Sequence, residues 1–228
     1  MALALLSAAA TLASAAASPS CLIVRDAASA QDVKIEAHGD NAVRVRAVAS
    51  GGAFKDSPDV ITALTMINSF ADCESAALTA AGQSVTSGNL KASVGSDGKL
   101  TFTRVSDSKV LLAEKSVRAM QPTTTTPSVP GFSSLLMAFE PVEGERIYGL
   151  GQHAAFPWDK DFPQNGQLDQ KGVPAMLLEP HDGDVTIPIA HSSLGYAFLS
   201  NLPSTGSVVY NSTGGFWSHD AVLQMDVK

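Results

Sequence analysis

Apolar and polar residues alternate with a period of two over much of this chain, the pattern of strands that bury one face. It is clear in "VKIEA" (Val33 to Ala37) and "NAVRVRAV" (Asn41 to Val48), and "HGDN" between them supplies the Gly, Asp and Asn of a hairpin turn. "LKASV" (Leu90 to Val94) and "KLTFTRV" (Lys99 to Val105) repeat the arrangement around Ser96-Asp97-Gly98. "KVLLAEK" and "SSLLMAFEPV" follow, separated by the loop-like "QPTTTTPSVPG". Then come "DVTIPIAH", "GYAFLSN", "SVVYN" and "FWSHDAVLQMDV", each bounded by Gly, Pro, Asn or Ser. Pro58 to Ala80 is the one helix candidate, with Ser57 as N-cap and Pro58 at the first helical position. Its β-branched Val60, Ile61, Thr65 and Ile67 suit a strand followed by a loop equally well, and both readings stay open. Short strands with turn signals every ~8–12 residues predict an all-β, antiparallel sandwich or barrel with at most one short helix.

Composition narrows the function classes. A net charge of -7 argues against nucleic acid, whose phosphates need a basic surface. His38, His153, His181, His191 and His219 are scattered without metal-ligand spacing, so neither a metal nor a cofactor is expected. Residues 1–17 are Ala- and Leu-rich and uncharged, ending in Ala15-Ala16-Ala17. They read as a secretory signal, with an uncleaved apolar helix or anchor as the alternative. No later stretch is long and apolar enough to span a bilayer. The expected location is therefore secreted or lumenal. Two cysteines, Cys21 and Cys73, are compatible with one disulfide or with two buried thiols, and Asn211-Ser212-Thr213 is an N-glycosylation sequon.

"ERIYGLGQHAAFPWDKDFPQNGQLDQKG", Glu145 to Gly172, carries the densest candidate chemistry. Gly149-Leu150-Gly151-Gln152-His153-Ala154 formally fits a dinucleotide fingerprint, but Pro157 and Pro163 prevent the helix which that motif must open. A strand ending in glycines and then a long surface loop is the plain alternative. In that loop Phe156, Trp158 and Phe162 alternate with Asp159, Lys160, Asp161, Gln164 and Asn165. Aromatic faces flanked by amides and carboxylates suit a sugar ring and its hydroxyls.

The stretches "ERIYGLGQH", "LDQKG", "IPIAHSSLGYAFLSNLPSTGSV" and "FWSHDAVLQMDV" occur in the order in which the N-terminal domain of glycoside hydrolase family 31 has similar motifs. That family includes α-glucosidases and α-xylosidases. The resemblance covers about residues 32 to 228 and implies an antiparallel β-supersandwich similar to galactose mutarotase, with residues 18–31 as a linker or N-terminal extension. In the family this domain lends a loop to the substrate pocket of a (β/α)₈ barrel, which carries both catalytic carboxylates; a retaining mechanism holds them ~5 Å apart. A barrel takes at least ~200 residues, and only Lys228 follows "AVLQMDV" in this sequence.

The expectation is therefore a carbohydrate-associated, non-catalytic domain that supports the pocket of an α-glycosidase. Its partners would be an α-linked glucoside, xyloside or oligosaccharide and, if the polypeptide continues, the barrel. A free-standing sugar-binding module is the alternative, and a mutarotase-like epimerase a more distant one. The resemblance places Asp182 in "EPHDGD" where the family contributes a polar residue to the pocket, with Asp184 beside it; a solvated turn fits the same residues. Trp158 is the stacking candidate. Asp169 and Lys171 would contact substrate, pair with each other or orient the loop. Phe216, Trp217 and Val222 are candidates for an exposed apolar face against the barrel.

Overall fold

The computed structural model describes residues 19–55, 73–123, 131–152, 169–173, 175–179 and 185–228. Among them there is no helix; the elements are β1 (Cys21–Asp26), β2 (Gln31–Ala37), β3 (Val43–Ala49), β4 (Glu74–Ala77), β5 (Gln83–Ser87), β6 (Leu90–Val94), β7 (Leu100–Arg104) and β8 (Lys109–Pro122). They continue with β9 (Ser133–Phe139), β10 (Ile147–Gln152), β11 (Met176–Leu177), β12 (Val185–Ser192), β13 (Tyr196–Leu199), β14 (Gly206–Asn211), β15 (Gly214–Val222) and β16 (Met225–Val227). Three sheets result, ordered β16-β3-β2-β1-β4, β10-β12-β13 and β11-β14-β15-β9-β8-β7-β6-β5. All named pairings are antiparallel except β1 with β4. This is the expected all-β architecture.

The alternation in the sequence decides which face each strand buries. Val33, Ile35, Val45 and Ala47 from the five-stranded sheet join Val94, Leu100, Leu135, Met137, Phe198 and Trp217 from the other two in one core. Trp217 is fully buried, packed against Phe198 (ring centroids 5.1 Å) and donating its indole N–H to Tyr210 Oη at 2.9 Å. The other face of the five-stranded sheet is charged and also buried. Arg46 and Lys34 both hold Glu36, at 2.6 and 3.0 Å, and Arg44 makes a two-pronged pair with Asp226 at 2.9 and 2.6 Å. Buried charges are tolerable only when paired and hydrogen-bonded in this way.

Three of the differences from expectation have a clear physical cause. Within the segment expected as a linker, residues 18–31, Cys21–Asp26 is a full strand: Leu22 and Val24 face the core, and Asp26 ends it by accepting from the Ala28 and Ser29 backbone amides. Residues 58–72 of the helix candidate lie outside the described residues, but Glu74–Ala77 is strand. Glu, Ser and two Ala residues, most of them exposed, give it little intrinsic strand preference; it is held by pairing with β1 and by the Cys21–Cys73 disulfide immediately before it. β8 runs for 14 residues, past the end of "KVLLAEK". Register shifts between Glu114 and Ala119 break its alternation and put Glu114 and Arg118 inside, where they pair at 2.9 Å.

Candidate functional site

The three-stranded sheet positions the stretches singled out by sequence. β10, "IYGLGQ", pairs with β12 through a bulge between Gly149 and Gly151. Leu150 adopts φ +69° there and is buried, an uncommon conformation for a bulky residue. Gly149 and Gly151 flank it at φ +99° and +101°. A Cβ on Gly149 would strike the Ile189 carbonyl, and one on Gly151 would strike Val185 O and Ile187 N. The glycines thus serve a close approach of two strands, and the bulge re-aims Leu150 into the core.

Below the bulge lies a buried polar knot. Glu145 Oε1 accepts from the Ser192 hydroxyl and, at 2.8 Å, from the Tyr196 hydroxyl. Burial and the Glu145 carboxylate both push the Tyr196 pKa upward, so its hydroxyl stays protonated and donating. Asp169 Oδ1 accepts from the backbone amides of Ile147 (3.0 Å) and Lys171 (3.1 Å), and Lys171 Nζ donates to the Val142 and Glu145 carbonyls at 2.7 and 3.2 Å. Of the alternatives for these two residues, their bonds match orientation of the loop: they tie residues 169–171 to the start of β10. Tyr196 reads from sequence as a core aromatic with a bonded hydroxyl, which it is; its partner Glu145 and the Ser192 that joins them were not legible, because no spacing links residues 51 and 47 positions apart.

Trp158, Asp182 and Asp184 lie outside the described residues. Their points of attachment do not. Gln152, the last residue of β10, is the register partner of Val185, the first of β12. The stretch containing Trp158 follows Gln152, and Asp184 immediately precedes Val185, so both stretches join the sheet at the same end. Val185, Ile187, Ile189 and His191 alternate onto one face of β12; Val185 and Ile187 are 52% and 48% exposed. Ile189, His191 and Leu199 on that face, with Leu90, Phe102 and Arg104, line a cleft of about 680 Å³. Two exposed apolar side chains are therefore here, whereas of the candidates Phe216, Trp217 and Val222 the last two are in the core and Phe216 is half-buried.

Other polar clusters are structural. Cys21, Glu36 and Cys73 are close enough to share a metal ion, but the sulfurs form a disulfide and Glu36 is held by Lys34 and Arg46. His219 Nε2 lies 2.9 Å from Ser200 Oγ, with both side chains buried. Burial pushes its pKa down to about 4, against partial opposition from the Ser204 backbone and Asp220. A neutral imidazole enclosed in this way cannot serve an external substrate as acid or base.

No protein-family model matches the chain. It is 31% identical over 96 residues to an uncharacterized family 31 glucosidase of Pseudescherichia vulneris, and 40% identical over 72 residues to an α-xylosidase of Saccharolobus solfataricus. These stretches are 42% and 31% of this chain but span only 16% and 9% of the relatives. Among solved structures, a xylosidase from Aspergillus niger superposes with a TM-score of 0.69 at 19% identity, over 92% of this chain and 30% of its own. A GH31 α-xylosidase from a soil metagenome, complexed with xylose, gives 0.67 at 24% identity over 92% and 31%. Sequence and fold agree: the chain is related to glycoside hydrolase family 31 and has the fold of that family's N-terminal, galactose mutarotase-like β-sandwich.

Proposed function

We propose that this domain is a non-catalytic, carbohydrate-binding wall of an α-glycosidase pocket, with an α-linked xyloside or glucoside as ligand. The observation that carries the reading is the pairing of Gln152 with Val185. It brings to one end of a bulged and braced sheet the residue after which the stretch with Trp158 follows in sequence and the residue before which Asp182 and Asp184 stand. An aromatic face for the ring and acceptors for its hydroxyls form a minimal sugar site. The two curated relatives are described as a glucosidase and an α-xylosidase, which supports the choice of sugar. The apolar face of Val185 and Ile187 adjoins that end and suits packing against the catalytic barrel.

Titration of the isotope-labelled protein with α-linked xylosyl and glucosyl oligosaccharides tests this. Binding with Kd on the order of 1 mM should shift the backbone resonances of Gln152 and Val185. Trp158→Ala and Asp182→Asn should each abolish the shifts, and no released sugar should accumulate. Saturable shifts confined to another part of the surface, or none with any of these sugars, would overturn the proposal.

A further inference from the structure

The β14–β15 hairpin turns over Ser212 and Thr213, both exposed, with Asn211 opposite Gly214. Asn211 Oδ1 accepts two hydrogen bonds at 2.7 Å, from the Thr213 amide and from the Thr213 hydroxyl. Both bonds go to the amide oxygen and neither draws on the amide nitrogen of this half-buried residue. Lys115 pins the turn, donating to the Thr213 carbonyl at 2.8 Å and lying over the Phe216 ring. Asn211-Ser212-Thr213 is the sole Asn-x-Ser/Thr triplet in the 228 residues. The Cys21–Cys73 disulfide independently matches an oxidising compartment, where such triplets are modified.

We propose that Asn211 is N-glycosylated, the donor being an oligosaccharide linked to a lipid pyrophosphate. The amide nitrogen attacks the anomeric carbon, and the C–N bond forms as the C–O bond to pyrophosphate breaks. The lipid pyrophosphate leaves with the electron pair, and the amide proton passes to a base of the transferase. The turn's own hydrogen bonds use the amide oxygen and not the nitrogen, so they can persist once the nitrogen carries the glycan. The glycan keeps the β14–β15 tip in water, so any docking face of the domain lies elsewhere. This holds whether or not the domain binds sugar.

The test is secretion of the full chain from a eukaryotic host, behind the host's own leader if the native one does not export it. Intact mass is then measured before and after peptide-N-glycosidase. The expected result is loss of one glycan on treatment, with Asn211 converted to Asp in its peptide. Thr213→Val, which keeps the side-chain shape without the hydroxyl, should be secreted unglycosylated; Thr213→Ser should keep the glycan. Secreted, disulfide-linked protein whose Asn211 peptide is wholly unmodified would overturn the proposal, as would a glycan that persists in Thr213→Val.

Discussion

Acidification should destabilise this domain through His219 before its carboxylates are protonated. The ring is enclosed and neutral, with a pKa lowered from 6.5 to about 4 by burial. The unfolded chain therefore binds a proton between those values that the folded chain refuses. Stability is complete above pH 6.5, falls as pH drops and stops falling on this account below about 4. At about 1.4 kcal/mol per pH unit, that gap makes the loss about 3 kcal/mol, a large share of a domain's ~5–15 kcal/mol. Urea denaturation followed by Trp fluorescence at intervals from pH 7 to 4 gives the curve. His219→Gln supplies the reference, since Gln can still bond Ser200 but does not titrate. The wild-type curve should drop below the variant's by about 3 kcal/mol across this range. Parallel curves would refute the reasoning, as would a His219 resonance that titrates near 6.5 in the folded protein.

Two further perturbations probe the framework. Cys21→Ala with Cys73→Ala opens a loop spanning 52 residues and should lower unfolding stability by about 4 kcal/mol in urea, with under about 1 kcal/mol speaking against the disulfide as a main tie for β4. Gly151→Ala should lose at least about 2 kcal/mol in thermal melts, because its Cβ meets the β12 backbone. Gly144→Ala has a similar positive φ in open space and should lose less; equal losses would show that conformation alone, not the approach of β12, requires the glycine.

How much of this was legible in the sequence depended on whether a strand alternates cleanly. β2, β3, β6, β7, β9, β12 and β14 each keep one face apolar, and pattern reading finds them. β1 was hidden because its six residues, Cys21–Asp26, lie closely bracketed by Pro19-Ser20 and the turn at Ala27–Ala30. β8 was cut short because its bulges turn Glu114 and Arg118 inward, where a charge reads as surface. β4 has no strand signal of its own; a covalent tie and a parallel neighbour make it. In the candidate site, the double glycine and the Asp169–Lys171 turn were visible as unusual residues. Orienting the loop was one of the readings open for Asp169 and Lys171, but the choice among them rests on backbone groups of Val142, Glu145 and Ile147 that sequence does not bring together.

The Arg44–Asp226 pair joins residues 182 positions apart, and this sets an order of events during translation. β1, β2 and β3 leave the ribosome early and can pair at once, being consecutive antiparallel strands. The free edge of β3, where Arg44 later meets Asp226, stays open until Met225–Val227 emerges. While the residues between β3 and β16 are made, the nascent chain therefore shows an unpaired strand edge, the surface most prone to mispairing. The charges on that edge discourage association with apolar strands of other chains, and they also select β16, whose Asp226 arrives with the complementary carboxylate. The same ion pair that closes the sheet thus guards it while it is unfinished.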